Sequence, residues 1–112
     1  MKDIIKYEDF EKLEILVGTV LEVNINKKAK KPAYILNIDF GSKVGKKKSS
    51  AQITNYSIEE LLQKQIIAVC NFEKKNIAGV ESEVLILGAI NEKKEVILLH
   101  PQQKIKNGSF IC

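Results

Sequence analysis

Eight of the chain's eighteen lysines lie between Lys27 and Lys48, where the only acid is Asp39, so this window carries a charge of about +7. The rest of the chain sets ten lysines against thirteen acids, about −3, and the net charge of +4 conceals a strongly dipolar molecule. Charge sorted onto one segment makes a surface that attracts polyanions. Arginine is absent. Lysine is a mobile point charge that suits phosphate oxygens and reads base edges poorly. Nucleic acid bound here would be held by its backbone more than read for its sequence. The competing account is a solvated lysine-rich loop in a chain rich in Lys, Ile and Asn.

No other constellation offers chemistry. His100, the only histidine, precedes Pro101 at the end of an apolar run and reads as a structural or exposed residue rather than a ligand or base. The chain has no phosphate loop of the G-x-x-x-x-G-K form, no Cys/His cluster, and no carboxylate pair with flanking residues that would tune it as acid and base. Cys70 sits inside an apolar run and reads as a small buried hydrophobe, while Cys112 is the last residue. Two unpaired thiols fit a reducing compartment. These residues argue against an enzyme, and neither a cofactor nor a metal is expected. No apolar run reaches transmembrane length, and Met1 to Lys6 runs into an acidic stretch without a signal-peptide core. The expectation is a cytoplasmic protein with no membrane insertion.

The elements that must position the lysines follow from periodicity. At 112 residues, with 45% apolar and 29% charged residues, the chain has ordinary globular values and reads as one domain, 1–112, able to bury a core without disulfides. Phe10 and Leu13 suit a short amphipathic helix over residues 8–13. Residues 15–25 form a long strand with Val17, Thr19, Leu21, Val23 and Ile25 on one face and Gly18, Val20, Glu22 and Asn24 on the other. Gly18 marks a bend or a close backbone approach. Lys27 to Lys31 form a basic loop closed by Pro32. Tyr34, Leu36, Ile38 and Phe40 alternate along a second strand that Gly41 ends. Lys46 to Lys48 lead into a third strand over residues 49–53. Ser57-Ile58-Glu59-Glu60 has the capping-box form and predicts a helix ending near Lys64. Residues 66–72 and 84–87 read as buried strands joined by a loop over 73–79. Asn91 to Lys94 turn the chain into a hairpin with Val96 to Leu99, and Asn107-Gly108 precedes a last short strand.

Five core strands with a helix between the third and fourth predict an all-β fold, a five-stranded OB-fold barrel. Residues 14–90 would form the barrel, 1–13 a helical extension and 91–112 a strand extension. Such barrels present their second and third strands and adjoining loops to oligonucleotides. Here those elements hold the lysine window, and the loop after the fourth strand adds Lys74 and Lys75. Charge and architecture therefore converge on one face. Trp is absent, and Tyr34 and Phe40 are expected in the core, so few aromatics remain for base stacking. That scarcity favours a folded RNA over a single strand.

At these residues the chain resembles the tRNA-binding domain proteins, specifically the CsaA group of export-related chaperones. The markers are Val17-Gly18-Thr19-Val20, Lys31-Pro32-Ala33-Tyr34, Ile38-Asp39-Phe40-Gly41, Ser49-Ser50-Ala51-Gln52-Ile53-Thr54, Val69-Cys70-Asn71-Phe72 and the run from Ile77 to Leu85. Six motifs in order over almost the whole chain are specific. The resemblance implies an OB-fold homodimer whose interface uses the N-terminal helix and the C-terminal strands. It implies binding of tRNA without enzyme activity, and chaperone-like contact with unfolded precursor proteins and the secretion machinery. It also places the Asn71-Phe72 strand end and the Ser82-Glu83 segment on the recognition face. Relatives often carry arginine near positions 14–16 and in the loop after the fourth strand. Here Glu14-Ile15-Leu16 and Lys74-Lys75-Asn76 stand there, which leaves generic phosphate attraction.

Together these readings expect Lys30, Lys31, Lys46, Lys47, Lys74 and Lys75 to neutralise phosphates of tRNA or another folded RNA, and Ser50, Gln52, Asn71, Ser82 and Glu83 to add polar contacts. Phe10, Leu13, Val96, Ile97, Leu98 and Leu99 are expected at the dimer interface. The alternative is a peptide-binding secretion chaperone that uses the apolar C-terminal segment, with incidental RNA affinity.

Overall fold

The structure is a computed structural model that describes residues 1–112. The chain runs through α1 (Tyr7–Glu11), β1 (Ile15–Ile25), β2 (Tyr34–Asp39), β3 (Lys46–Ala51), α2 (Ile58–Leu61), β4 (Gln65–Val69), β5 (Lys75–Ile77), β6 (Val80–Ser82), β7 (Leu85–Ile86), β8 (Gly88–Ile90) and β9 (Val96–Leu98). Five strands form one antiparallel sheet in the order β3-β2-β1-β4-β7. The sheet curls until its ends nearly meet. Glu83 N–H donates to the Lys48 carbonyl at 2.8 Å, and Ser49 Oγ donates to the Val84 carbonyl at 3.1 Å. This order, with α2 between the third and fourth strands, is the expected OB-type barrel.

The β2 alternation is realised. Tyr34, Leu36, Ile38 and Phe40 enter the core beside Leu16, Val20, Val23, Ile53, Leu61, Ile66, Ala68 and Val84. The expected faces of β1 are not. Val20 pairs with Ile38, but Glu22 pairs with Asn37 and Val23 with Leu36, so Leu21 is an extra residue. This bulge moves the inward face from even to odd positions. Val20 is therefore core, and Leu21 is not. Ile15 and Val17 are buried as well. The C-terminal segment borders them, with Val17 N–H donating to the Ser109 carbonyl at 3.0 Å and Ile111 N–H to the Ile15 carbonyl at 3.0 Å. Gly18 marks a close approach: a Cβ there would lie 2.7 Å from Ile38 Cγ2 and from Phe40 Cδ1.

Several boundaries differ from the periodicity reading, each for a tertiary reason. Strand β3 begins at Lys46, because the turn after β2 lets Lys46, Lys47 and Lys48 pair with Asp39, Ile38 and Asn37. It ends at Ala51, so Gln52 and Ile53 lie beyond it. The Ser57–Glu60 capping box forms, with amide contacts of 2.8 and 3.2 Å. Helix α2 nevertheless stops at Leu61. There Gln63 takes φ 64° and its N–H bonds to the Val20 carbonyl at 2.8 Å, while Val20 N–H bonds to the Lys64 carbonyl at 2.9 Å. The chain leaves the helix to satisfy β1 beside its bulge.

The expected loop over 73–79 is mostly a hairpin, β5–β6, turned by Ala78 and Gly79 at φ 50° and 82°. Two positive φ values make a hairpin turn whose usual Asn-Gly signature is here Ala-Gly. Strand β4 ends at Val69, leaving Asn71 and Phe72 exposed outside it. Only Leu85–Ile86 of the segment 84–87 pairs with β4, and Leu85 is exposed. The turn at Asn91–Lys94 forms as expected, but the strand it pairs with β9 is the exposed β8, Gly88–Ile90, rather than 84–87, and the last strand is a single bridge from Phe110 to Leu16. Helix α1 spans one turn, and Leu13 lies past its end.

Candidate nucleic-acid interface

The lysine window folds into a band along the β2–β3 hairpin. The five steps between the six residues of β3, at about 3.3 Å each, put its ends roughly 17 Å apart, and Tyr34 pairs with Ala51, so Lys30–Lys31 and Lys46 lie at opposite ends. Lys27, Lys28, Lys30 and Lys31 are exposed on the β1–β2 turn. Buried Asn26 shapes that turn: its Oδ1 accepts from Lys28 N–H at 3.2 Å, and its N–H donates to the Ala33 carbonyl at 2.9 Å. Lys28 then runs over the tip of the β5–β6 hairpin. A Cβ on Gly79 would lie 3.2 Å from Lys28 Cδ and 3.6 Å from its Nζ. The loops after the first and fourth strands thus meet.

Along β3, Lys46 and Lys48 are exposed on the outer face and Lys47 is half-buried. Lys48 shares a row with Asn37 and Glu22, which hydrogen-bond each other, and Lys46 shares one with Asp39 and Thr19. Neither lysine lies within ion-pair range of these acids. The ion pairs are Lys12–Asp9, Lys47–Glu83, Lys74–Glu81 and Lys74–Glu83, and every other lysine is free of a carboxylate within 4.0 Å.

Strand β6 lies beside β3 and gathers Lys47, Ser50, Lys74, Lys75, Ser82 and Glu83. Ser82 is buried, and its Oγ accepts from Ser50 N–H at 3.2 Å and lies 3.4 Å from Ser49 Oγ. Ser50 Oγ has no hydrogen-bond partner. Exposed Lys75 pairs across the hairpin with Ser82. Gln52 is exposed beyond β3. Asn71 stands apart, with its amide engaged by the N-terminal segment: Glu14 N–H donates to Oδ1 at 2.8 Å, and Nδ2 donates to the Lys12 carbonyl at 2.7 Å.

The fold brings two further side chains to the band, Lys28 and Phe72. Lys28 belongs to the basic window, but only the Gly79 contact distinguishes it from its neighbours. Phe72, half exposed beside Lys74, is an aromatic available for stacking. The apolar run from Ile66 reads as a buried strand, but the resemblance puts its Asn71-Phe72 end on the recognition face, and Phe72 is exposed there.

Other features have no reactive character. Burial pushes the Cys70 thiol up to about 11, Glu14 adds to the rise and Lys47 opposes it. A thiol held protonated is a poor nucleophile. Val96 and Leu98 pack on the barrel core, while Ile97 and Leu99 are more than two-fifths exposed. Phe10 is half-buried and Leu13 exposed. A groove of about 950 Å³ runs beneath residues 100–107, between α2 and β9. Gln65 ties this C-terminal strap down: its Oε1 accepts from Ile105 N–H at 3.0 Å, and its Nε2 donates to Asn107 Oδ1 at 3.0 Å. No helix is long and apolar enough to cross a membrane.

Comparison with known proteins places this geometry. The family described as "Putative tRNA binding domain" matches residues 15–110. The CsaA chaperone protein from Picrophilus torridus is 51% identical, with a TM-score of 0.92 over 97% of this chain and 100% of that one. Chaperone CsaA from Bacillus anthracis is 45% identical, again with a TM-score of 0.92, over 98% of this chain and 100% of its own. The methionine–tRNA ligase of Pyrococcus horikoshii is 38% identical over 97% of this chain, which spans only 15% of that enzyme. The barrel order, the meeting of its two loops and these likenesses agree: the chain belongs to the tRNA-binding-domain family and, within it, groups with the CsaA proteins.

Proposed function

We infer that this chain is a non-enzymatic RNA-binding protein that takes tRNA, or another folded RNA, along the β2–β3 hairpin and the adjoining loops. The observation that carries the reading is the band of exposed lysines with no acidic partner, running from the β1–β2 turn where Lys28 meets Gly79 to Lys46. Lys30, Lys31, Lys46 and Lys75 neutralise phosphates, and Lys47 and Lys74 flank the centre of the band. Exposed Gln52 offers hydrogen bonds to the sugar–phosphate chain, while the buried hydroxyls of Ser50 and Ser82 shape the β3–β6 edge beneath it. With lysine in place of arginine, binding is salt-sensitive and weakly sequence-selective. The 112 residues act as one unit that pairs with a second copy. Exposed Leu13, Ile97 and Leu99 supply apolar surface for that homodimer.

The test is filter binding of tRNA, duplex RNA and single-stranded DNA across a salt series. If about five phosphates are neutralised, log affinity falls against log salt with a slope of roughly −3.5 to −4.5. A slope near zero sinks the reading. Sedimentation at micromolar concentration checks the dimer, and a species of 12.6 kDa refutes it.

A second reading rests on the groove under the C-terminal strap. Its lining mixes Leu21, Tyr56, Ile97 and Pro101 with glutamines, a surface suited to extended peptide. In this reading the chain is a cytoplasmic chaperone that holds unfolded precursor proteins for the secretion machinery. The groove's lining reaches Thr19 and Asp39, in the row of Lys46, but includes none of Lys30, Lys31, Lys47, Lys74 and Lys75, so the two activities separate at those lysines. Changing Lys30 and Lys31 to Glu should abolish RNA binding and leave suppression of aggregation intact. Loss of both together refutes separate sites.

A further inference from the structure

The carboxylate of Glu83 sits between two lysines of the proposed RNA-binding band, Lys47 and Lys74. One of its oxygens, Oε1, accepts from Lys48 N–H at 3.0 Å. The other, Oε2, lies 3.8 Å from Lys47 Nζ and 3.9 Å from Lys74 Nζ. The carboxylate is anchored at its backbone too, because Glu83 N–H donates to the Lys48 carbonyl at 2.8 Å. One backbone amide and two ammonium groups around a single anion is the surrounding a phosphate oxygen pair seeks. The contacts are unequal. The amide bond is short, whereas both ammonium groups stand about 1 Å beyond charge-assisted hydrogen-bond length. The lysines are therefore drawn toward Glu83 without being locked to it, and either can swing to a competing anion. Lys74 is shared further with Glu81 at 3.8 Å.

We propose that Glu83 is a built-in counter-anion that occupies the central phosphate position of the β3–β6 edge and must yield Lys47 and Lys74 when RNA binds. This deepens the RNA-binding reading and rests on it. Glu83 then lowers affinity rather than adding a contact. The two ends of the band, at Lys30–Lys31 and at Lys46, capture RNA first, because their charges are unpaired. The centre closes only on a ligand that presents a phosphate close enough to displace the carboxylate. The band thereby favours a rigid, folded backbone over a mobile one.

The test compares the full-length chain with E83Q, which keeps an oxygen for Lys48 N–H and removes the charge. Binding of labelled tRNA is read by anisotropy across a salt titration, and binding of inorganic tripolyphosphate by calorimetry. E83Q should bind tRNA about three- to tenfold more tightly at low salt, with a log–log slope steeper by about one to two, as two lysines become available. Adding Lys47→Gln to E83Q should remove about half of the gain. Glu81→Gln, which leaves the Glu83 contacts intact, should give a smaller gain and serves if E83Q folds poorly. Unchanged or weaker binding by folded E83Q overturns the proposal. If neither protein binds tRNA but E83Q gains tripolyphosphate affinity, the counter-anion stands and the RNA reading falls. If E83Q gains affinity for neither, the counter-anion is refuted.

Discussion

Gly18→Ala is a small change with a large expected effect. The glycine lies in β1 where the barrel wall is tightest, and an added methyl would sit 2.7 Å from Ile38 Cγ2 and from Phe40 Cδ1 and Cε1. Carbon atoms in contact prefer about 3.5–4.0 Å, so roughly 1 Å must be found. Ile38 and Phe40 are 0% and 1% exposed, and neither can swing into solvent. Overpacking of this kind costs about 1–3 kcal/mol. Replacing a strand glycine by alanine returns about 0.5–1 kcal/mol through the unfolded chain. The clash wins by about 1–2 kcal/mol. At about 4 °C per kcal/mol for a domain of this size, the midpoint should fall by about 4–8 °C. Thermal and urea unfolding followed by circular dichroism measure it. Phe40→Leu trims the ring, so the cost of Gly18→Ala should be at least halved in that background, a coupling that a double-mutant cycle reads directly. Gly18→Ala at wild-type stability, or costs that simply add, would refute the packing argument.

Two further outcomes follow from particular contacts. Asn71→Ala removes both bonds that pin the N-terminal segment, at Lys12 and Glu14, and should cost about 1–2 kcal/mol. Hydrogen exchange should rise over residues 7–14, and unchanged protection there would exclude the clamp. Thiol alkylation should separate the two cysteines. With its pKa raised from 9.0 to about 11, Cys70 carries about a hundredfold less thiolate than an ordinary thiol at neutral pH, while Cys112 is exposed. Because the folded pKa is raised, Cys70 favours the folded state below pH 9, and that contribution fades as pH climbs toward 11. Equal labelling of both residues at pH 7 would contradict this.

How much of the molecule could be read in advance depends on whether the deciding interaction was local. The β2 alternation, the Ser57–Glu60 cap and the β8–β9 turn are set by residues a few positions apart, and all three appear where periodicity puts them. The inward face of β1 could not be read, because the Leu21 bulge is invisible until β2 fixes the register. The β5–β6 hairpin was hidden by a turn that uses Ala78 where Asn is usual. Helix α2 stops short because its exit must bond to β1, more than forty residues earlier in the chain.

The candidate interface divides the same way. Sequence alone determined that positive charge is concentrated between Lys27 and Lys48, that arginine is absent, and that strands bracket the basic segments. Those are matters of composition and short-range pattern. Only the tertiary structure decided which lysines are free. Ser82 Oγ meets Ser50 N–H across 32 positions, and Glu83 meets Lys48 N–H across 35. Closure of the barrel brings those residues together, and with them the carboxylate that faces Lys47 and Lys74. Charge is counted along the chain, but its availability depends on distances that the fold alone sets.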